Sequence, residues 1–356
     1  MSGPETPPLL LSICIATYNR AGFIGRTLES IIAQWSPGVE IVVVDGASPD
    51  DTLAVVAPYV ARCPAIRYVR ESTNCGIDAD YDKAVGYAAG RHCWLLPDDD
   101  LLAPDAIDRV LTELDGGAVD LLIVDSEVRD VTLCQILETR RLRFDGPRRY
   151  GPADRDAFLR DAGYNLTFLG GVVIRREAWT ARKREPFFGS LFIHVGVIFQ
   201  DPPLQNIMIL GEPLVRIRLG NAMWKPRTFE IWAFKWPALI WSFSGYADAA
   251  KQRVSPREPW RNPVWLLFYR AMGAYSRREY DLYLSQKYPL LSTFLPLLIA
   301  YFPGRTANLV GVVLLSMLGR GKSGPCYDLI ASSIYSNRLS RLWASVWLGD
   351  LARSPA

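Results

Sequence analysis

The chain has little of what marks several protein classes. Its 356 residues hold two histidines, too few for a Cys/His zinc cluster, and its six cysteines (Cys14, Cys63, Cys75, Cys93, Cys134 and Cys326) show no C-x-x-C spacing. A reducing, cytosolic environment fits that cysteine usage. The N-terminal MSGPETPP lacks the basic opening of a secretory signal, and LLLSICIA runs straight into polar residues, so export is not expected. No apolar run reaches the roughly 20 unbroken residues that span a bilayer. Residues 288–304 form 17 charge-free positions broken by Pro289, Pro296 and Pro303, and the next charge-free stretch, 306–319, has 14. Internal repeats and low-complexity tracts are absent too. What is present, 49% hydrophobic and 22% charged residues, suffices to bury a core in one large or two modest domains and excludes disorder, collagen-like repeats and a disulfide-stapled miniature.

The formal net charge of +3 conceals an asymmetry. Residues 1–130 carry nine Lys or Arg against 21 Asp or Glu, a net of −12, and the remainder carries 31 against 16, a net of +15. An acidic half is a poor nucleic-acid surface, and no nucleic-acid partner is expected. The basic half, which holds most of the eleven tryptophans, suits anionic lipid headgroups. Its proline-broken apolar stretches, flanked by Trp and Arg, read as interfacial or re-entrant helices in monotopic membrane contact, with buried helices of a soluble bundle as the alternative.

The first 130 residues alternate short β-branched runs with helical patterns. LLLSICIAT, VEIVVVD, IRYVRE and CWLL read as strands; FIGRTLESIIAQW, SPDDTLAVVAPYVARC (with Ser48 or Asp50 as its cap) and DADYDKAVGYAAG read as helices. Continuously apolar strands separated by helices imply a parallel sheet covered on both faces. Ligands in such sheets sit beyond the carboxyl ends of the strands. The residues there are Thr17, Tyr18 and Asn19 after the first strand, Asp45 after the second, and Asp98, Asp99 and Asp100 after the fourth.

Three adjacent carboxylates repel one another unless positive charge sits among them. Magnesium or manganese is the natural partner, because hard cations take oxygen ligands from one or two carboxylates plus substrate phosphates. Capping the helix near Pro104 is the alternative, but a cap needs one carboxylate. Asp45, followed by Gly46, reads as a ligand-facing strand end or as a loop cap. Asp78, Asp80 and Asp82 have the look of a metal motif but fall in a helical pattern and read mainly as first-turn acids that favour the helix dipole.

The blocks ICIATYNRAGFIGRTLESI, IVVVDGAS, NCGIDADYDKAVGYAAG and WLLPDDDLLAPDAI, in that order, resemble the nucleotide-diphosphate-sugar domain of family 2 glycosyltransferases with the GT-A fold, over about residues 9–115 and more weakly at 166–176. Within that family the chain is similar to abequosyltransferase-like enzymes of surface-polysaccharide assembly. The resemblance implies an α/β fold with a GT-A type Rossmann-like domain over 1–220 (donor site 9–130, acceptor side 131–220); the aromatic, basic composition beyond 220 adds the expectation of a mainly helical, membrane-associating region over 221–356. The resemblance also implies that Thr17, Tyr18 and Asn19 line the base and ribose pocket, that Asp45 hydrogen-bonds the base, and that Asp99 binds the metal with Asp98 and Asp100 flanking it. Pro97 stands where many relatives have an Asp, so ribose contact falls to Asp98.

Such an enzyme is expected to move a sugar from a nucleotide-diphosphate donor to a lipid-linked glycan at the cytoplasmic face of the inner membrane. Inversion also needs a base for the acceptor hydroxyl. The family's acidic base motif is missing from FFGSLFIHVGVIFQD, and His194 sits about where the base belongs. A hydrogen-bonded core histidine is the other reading, with Asp161 and Asp201 as further candidates and His92 taken as structural. Arg140, Arg141, Arg143, Arg148 and Arg149, and the pair Arg175 and Arg176, suit diphosphates of donor or acceptor, or simply a solvated face. Gly170 and Gly171 suit close approach of a ligand or a β-bulge. The rivals are a polyprenyl-phosphate sugar synthase, whose acceptor needs no base, a nucleotidyltransferase, and a non-catalytic membrane scaffold.

Overall fold

The computed structural model describes residues 9–116, 118–142, 144, 146–318 and 324–348. MSGPETPP, Arg143 and Gly319 lie outside the described residues. The chain divides into two units, one of residues 1–127, 140–217 and 243–254, the other of 128–139, 218–242 and 255–356. The backbone therefore crosses between them several times, and not once at 220.

In the first unit β1 (Leu11–Thr17), α1 (Ile24–Ile32), β2 (Val39–Asp45), α2 (Thr52–Arg62), β3 (Ile66–Arg70), α3 (Ile77–Tyr87) and β4 (His92–Leu95) alternate as the periodicity predicts. β1 and β4 are buried at every position, as strands covered on both faces must be. α1 buries Ile24, Thr27, Leu28 and Ile31, spaced three and four apart on one stripe. β5 (Leu101–Leu102), α4 (Ala106–Leu114), β6 (Leu121–Arg129), β7 (Ile136–Glu138, within the second unit), β8 (Arg148–Tyr150), α5 (Arg155–Ala162), β9 (Val172–Arg175), α6 (Arg176–Thr180), α7 (Ile193–Phe199) and β10 (Ile207–Arg218) follow along the chain. The sheet order is β3-β2-β1-β4-β9-β6-β10-β5, with β7 pairing β6 and β8 pairing β10. β3, β2, β1 and β4 are mutually parallel where they pair; β9 runs antiparallel to both β4 and β6. Segment 243–254 belongs with this unit because its helix, Asp248–Val254, packs on α5.

Two local expectations change. Ser48 and Asp50 do not simply cap α2: Ser48 Oγ accepts the Asn19 N–H (2.9 Å) and Asp50 Oδ2 the Ala21 N–H (2.9 Å), tying the loop after β1 to the loop after β2. The glycine pair lies in a 3-10 turn before β9, where a Cβ on Gly170 would stand 2.4 Å from the Phe168 ring and one on Gly171 2.8 Å from the Val124 carbonyl oxygen. Packing explains the pair without a ligand or a bulge.

The second unit is mainly helical, with helices over Pro263–Met272, Leu290–Tyr301, Gly304–Met317, Gly324–Ile330 and Arg338–Leu348. Its core is aromatic: Phe229, Trp260, Tyr269, Tyr275 and Tyr280 pack with Leu266, Leu284 and Ile299. Among the described residues no single helix is long and apolar enough to cross a membrane; Leu290–Tyr301 and Gly304–Met317 pass that test only together, bent by 90° at their junction.

Candidate functional site

β2, β1 and β4 are adjacent and parallel, so their carboxyl ends open on one side of the sheet. Register places Thr17 beside Asp45 and Cys14 beside Leu95, the last residue of β4, and Asp98, three residues on, lies close enough to Thr17 for its hydroxyl to act on the carboxyl. Thr17, Tyr18, Asn19, Asp45 and Asp98–Asp100 are thereby gathered at one edge, as expected. Thr17 is buried, Tyr18 half-buried and Asn19 exposed, with Asn19 in the left-handed region at φ 58°.

The acidic loop is held from two directions. Arg20 places Nη2 3.0 Å from Asp99 Oδ2 and Nε 3.4 Å from Asp98 Oδ1. The Thr27 hydroxyl of α1 sits 3.0 Å from the Asp98 carbonyl oxygen and 2.8 Å from that of Asp100. Asp98 and Asp100 are buried and Asp99 is half-buried. Burial and the neighbouring Asp99 charge push the Asp98 pKa up to about 7, against Arg20 and the Thr17 hydroxyl, which lower it. Arg20 escaped the sequence reading, although a cation directly after TYN was the available signal.

Asp45 has structural partners of its own. It is 0% exposed, its Oδ1 accepts the Ser48 N–H at 2.8 Å, and its Oδ2 accepts the Tyr68 hydroxyl. Hydrogen-bonded at both oxygens and buried, Asp45 holds the loop after β2. Burial, followed by the hydrogen bond to Asp45, raises the Tyr68 pKa.

His194 is also corrected. It is 1% exposed within the wholly buried α7, and its Nε2 lies 2.7 Å from the Leu166 carbonyl oxygen. Burial lowers its pKa to about 4, with the Leu166 contact opposing. The ring is a neutral core residue and presents no base to an acceptor. His92 is structural as expected, buried with Nε2 2.8 Å from the Val119 carbonyl oxygen.

Arg175 and Arg176 lie at the wrong end of the sheet for the donor. Arg175 pairs in register with His92, the first residue of β4, so the strand itself, about 10 Å at 3.3 Å per residue, separates it from the acidic loop. Its Nε is 3.1 Å from Asp120 Oδ1, and Arg176 Nε donates to the Gly90 carbonyl. Arg140 donates to the Gly211 carbonyl, Arg141 to Thr167 Oγ1, and Arg148 to Asp161, which also accepts the Tyr150 hydroxyl. Asp201 faces Arg155 at 3.6 Å. Each of these groups has a local structural partner. Asp78 and Asp80 do lie in the first turn of α3, but Asp78 accepts the Leu191 and Ile193 N–H groups and Asp82 accepts the Trp179 indole N–H and faces Arg184.

Among the described residues no three carboxylate, imidazole or thiolate groups converge as a ready-made cation site. The donor set still fits magnesium or manganese. Asp99 offers a half-buried carboxylate between Asp98 and Asp100, held at 3.0 Å by Arg20. Such cations take one or two protein carboxylates and fill the remaining positions with water and substrate phosphates.

Residues 12–169 match the model of Glycosyl transferase family 2. The chain is 27% identical over 308 residues to abequosyltransferase RfbV of Salmonella typhimurium, covering 80% of this chain and 90% of that one. It is 30% identical over 185 residues to a chondroitin synthase of Escherichia coli, covering 52% of this chain and 22% of the relative. Among solved structures it is similar to S. aureus TarS 1–349 in complex with UDP, with a TM-score of 0.52, 14% identity and 90% of each chain covered. The complex of the same protein with UDP-GlcNAc matches with a TM-score of 0.51 and 15% identity, over 95% and 91% of the chains. At those identities the structural likeness establishes the fold. The sheet order, the crevice at the ends of β1, β2 and β4, and the matched sequence converge: the chain carries a family 2 glycosyltransferase domain of GT-A fold and is a glycosyltransferase.

Proposed function

We propose that the protein transfers a sugar from a nucleotide-diphosphate donor, with inversion and with magnesium or manganese, to a lipid-linked glycan in surface-polysaccharide assembly (O-antigen, capsule or exopolysaccharide). The carrying observation is the crevice in which Thr17, Tyr18 and Asn19 face the Asp98–Asp100 loop across adjacent parallel strand ends. The likeness to RfbV and to a chondroitin synthase supports the polysaccharide setting, and the TarS complexes with UDP and UDP-GlcNAc support a nucleotide-sugar donor. Asp99, flanked by Asp98 and Asp100, would hold the cation. Bound there, it supplies charge neutralisation to the departing diphosphate. Thr27 fixes the loop backbone, and Arg20 bridges the Asp98 and Asp99 carboxylates.

The burial of His194 favours a second reading of the acceptor. A polyprenyl phosphate is already ionised and needs no base, whereas a sugar hydroxyl does. Calorimetry with UDP, dTDP, CDP and GDP, with and without manganese, tests the donor site: metal-dependent binding of one nucleotide is expected, and no binding of any would overturn the proposal. Release of a nucleoside diphosphate separates transfer from nucleotidyl transfer, which releases inorganic diphosphate. Incubation with polyprenyl phosphate alone, and with a polyprenyl-diphosphate-linked saccharide, identifies the acceptor.

We further propose that the second unit rests on the cytoplasmic face of the membrane. The helix Leu290–Tyr301 turns Leu290, Leu291, Phe294, Leu295, Leu298 and Tyr301 outward on one stripe, Leu291 at 94% exposure, while it buries Thr293, Pro296, Ile299 and Ala300. Exposed Lys287, Arg305, Arg338 and Arg341 supply the charge for anionic headgroups. Leu291→Glu combined with Phe294→Glu is expected to lower co-sedimentation with phosphatidylglycerol vesicles at least tenfold without changing nucleotide binding. Equal sedimentation of variant and wild type would sink this placement.

A further inference from the structure

Large apolar side chains of the first unit are mostly turned inward. Tyr164 is the exception: at 64% exposure it is the most exposed large hydrophobic side chain described there, ahead of Ile77 at 49% and Phe188 at 43%. It stands at the head of the 3-10 turn Asn165–Thr167, which leads through Phe168 and the glycine pair into β9. That turn is firmly held. The Thr167 hydroxyl donates to the Tyr164 carbonyl (2.8 Å) and accepts Arg141 Nη2 (2.9 Å), while the Arg141 N–H is fixed on Asp125 Oδ1. The Arg141 guanidinium lies 5.9 Å from the centroids of both the Tyr164 and the Phe168 rings. A ring on such a mount loses little conformational freedom when a ligand packs on it.

Contacts tie this turn to the acidic loop. Phe168 packs on the core of the sheet, and its ring fills the place where a Cβ on Gly170 would stand. The same Cβ would be 2.9 Å from Pro97 Cδ, and Pro97 directly precedes Asp98. Strand order sets the side. In β2-β1-β4-β9-β6, the ends of β1 and β2, with Thr17 to Asn19 and Asp45, flank β4 on one side, and the turn entering β9 flanks it on the other. With the nucleotide on the β1 side of the acidic loop, Tyr164 stands on the side left for the acceptor.

We infer that Tyr164 is a stacking platform for a pyranose ring of the acceptor glycan. The inference rests on the lipid-linked glycan reading above. A pyranose has a face of C–H bonds that packs on an aromatic ring, and hydroxyl groups around its rim that take hydrogen bonds; an exposed tyrosine answers both, with an apolar face and a phenol. The polar surroundings, Arg141 and Thr167, favour a sugar over an acyl chain. A polyprenyl phosphate has no such ring, so the platform separates the two acceptors.

The experiment measures initial rates with a polyprenyl-diphosphate-linked saccharide and with polyprenyl phosphate as acceptors, beside calorimetry with the nucleoside diphosphate that wild type prefers. Tyr164→Ala is expected to raise the KM for the saccharide at least tenfold with kcat within threefold, the pattern of lost binding that is uniform along the reaction, and to leave nucleotide binding as in wild type. Tyr164→Phe keeps the ring and is expected to hold that KM within threefold of wild type. A saccharide KM within threefold of wild type in Tyr164→Ala overturns the inference, as does a Tyr164→Phe no better than Tyr164→Ala. Nucleotide binding weakened in Tyr164→Ala assigns the ring to the donor and overturns it too. Wild-type transfer to polyprenyl phosphate alone, or to neither acceptor, overturns the inference while nucleotide binding leaves the donor site standing; no nucleotide binding by wild type removes both.

Discussion

Asp99→Ala is expected to lower sugar transfer on the order of 1,000-fold, close to 4 kcal/mol of transition-state stabilisation, the scale found when one group aimed at developing charge is removed. The expectation follows from position. Asp98 and Asp100 are buried, so Asp99 is the member of the triplet that reaches the crevice edge. Its loss also removes the charge that helps raise the Asp98 pKa and leaves Arg20 facing Asp98 alone. Two readouts follow: turnover collapses, and manganese ceases to strengthen nucleotide binding in calorimetry. Transfer within tenfold of wild type would show that the crevice works without this carboxylate.

The largest loss of stability is expected from Asp125→Ala. Asp125 is fully buried in β6, and its Oδ1 accepts three backbone N–H groups, Ser126 at 2.7 Å and Arg141 and Leu142 at 3.0 Å each. Truncation strands those donors, and buried donors left unpaired cost about 1–3 kcal/mol each, so a total of about 3–5 kcal/mol is expected after partial relaxation. Thermal unfolding should fall by roughly 10 °C. Asp125→Asn keeps an acceptor oxygen and should fall by less than half as much. A melting temperature of Asp125→Ala within 2 °C of wild type would mean that water or rearrangement satisfies the freed donors.

How far this site was legible depended on where the controlling contacts come from. The β1 and β2 runs, LSICIAT and VEIVVVD, announce buried parallel strands by being apolar at nearly every position, and that alone puts Thr17 to Asn19, Asp45 and the Asp98–Asp100 loop at one edge. Orientation within that edge was not legible. Whether Asp45 faces a ligand or its own loop depends on the Tyr68 hydroxyl, which arrives from β3, and on the Ser48 N–H. His194 was misjudged because its place in the family pattern says nothing of the helix α7, buried on every side. The arginine pair was misjudged because an antiparallel β9 reverses the end at which Arg175 emerges, and a single strand does not declare its direction. Asp125, inside an apolar run, carried no local sign that the Arg141 and Leu142 amides of another segment would converge on it with that of Ser126.

The Thr27 hydroxyl between the Asp98 and Asp100 carbonyl oxygens has a mechanical meaning. It grips the main chain of the acidic loop from α1 through a neutral contact, while the charges of that loop sit on side chains. In the proposed reaction, arrival of a doubly charged cation and departure of a diphosphate would change the electrostatic load on the carboxylates and not on this grip. The anchor of the loop backbone is thus separate from the charges that would come and go.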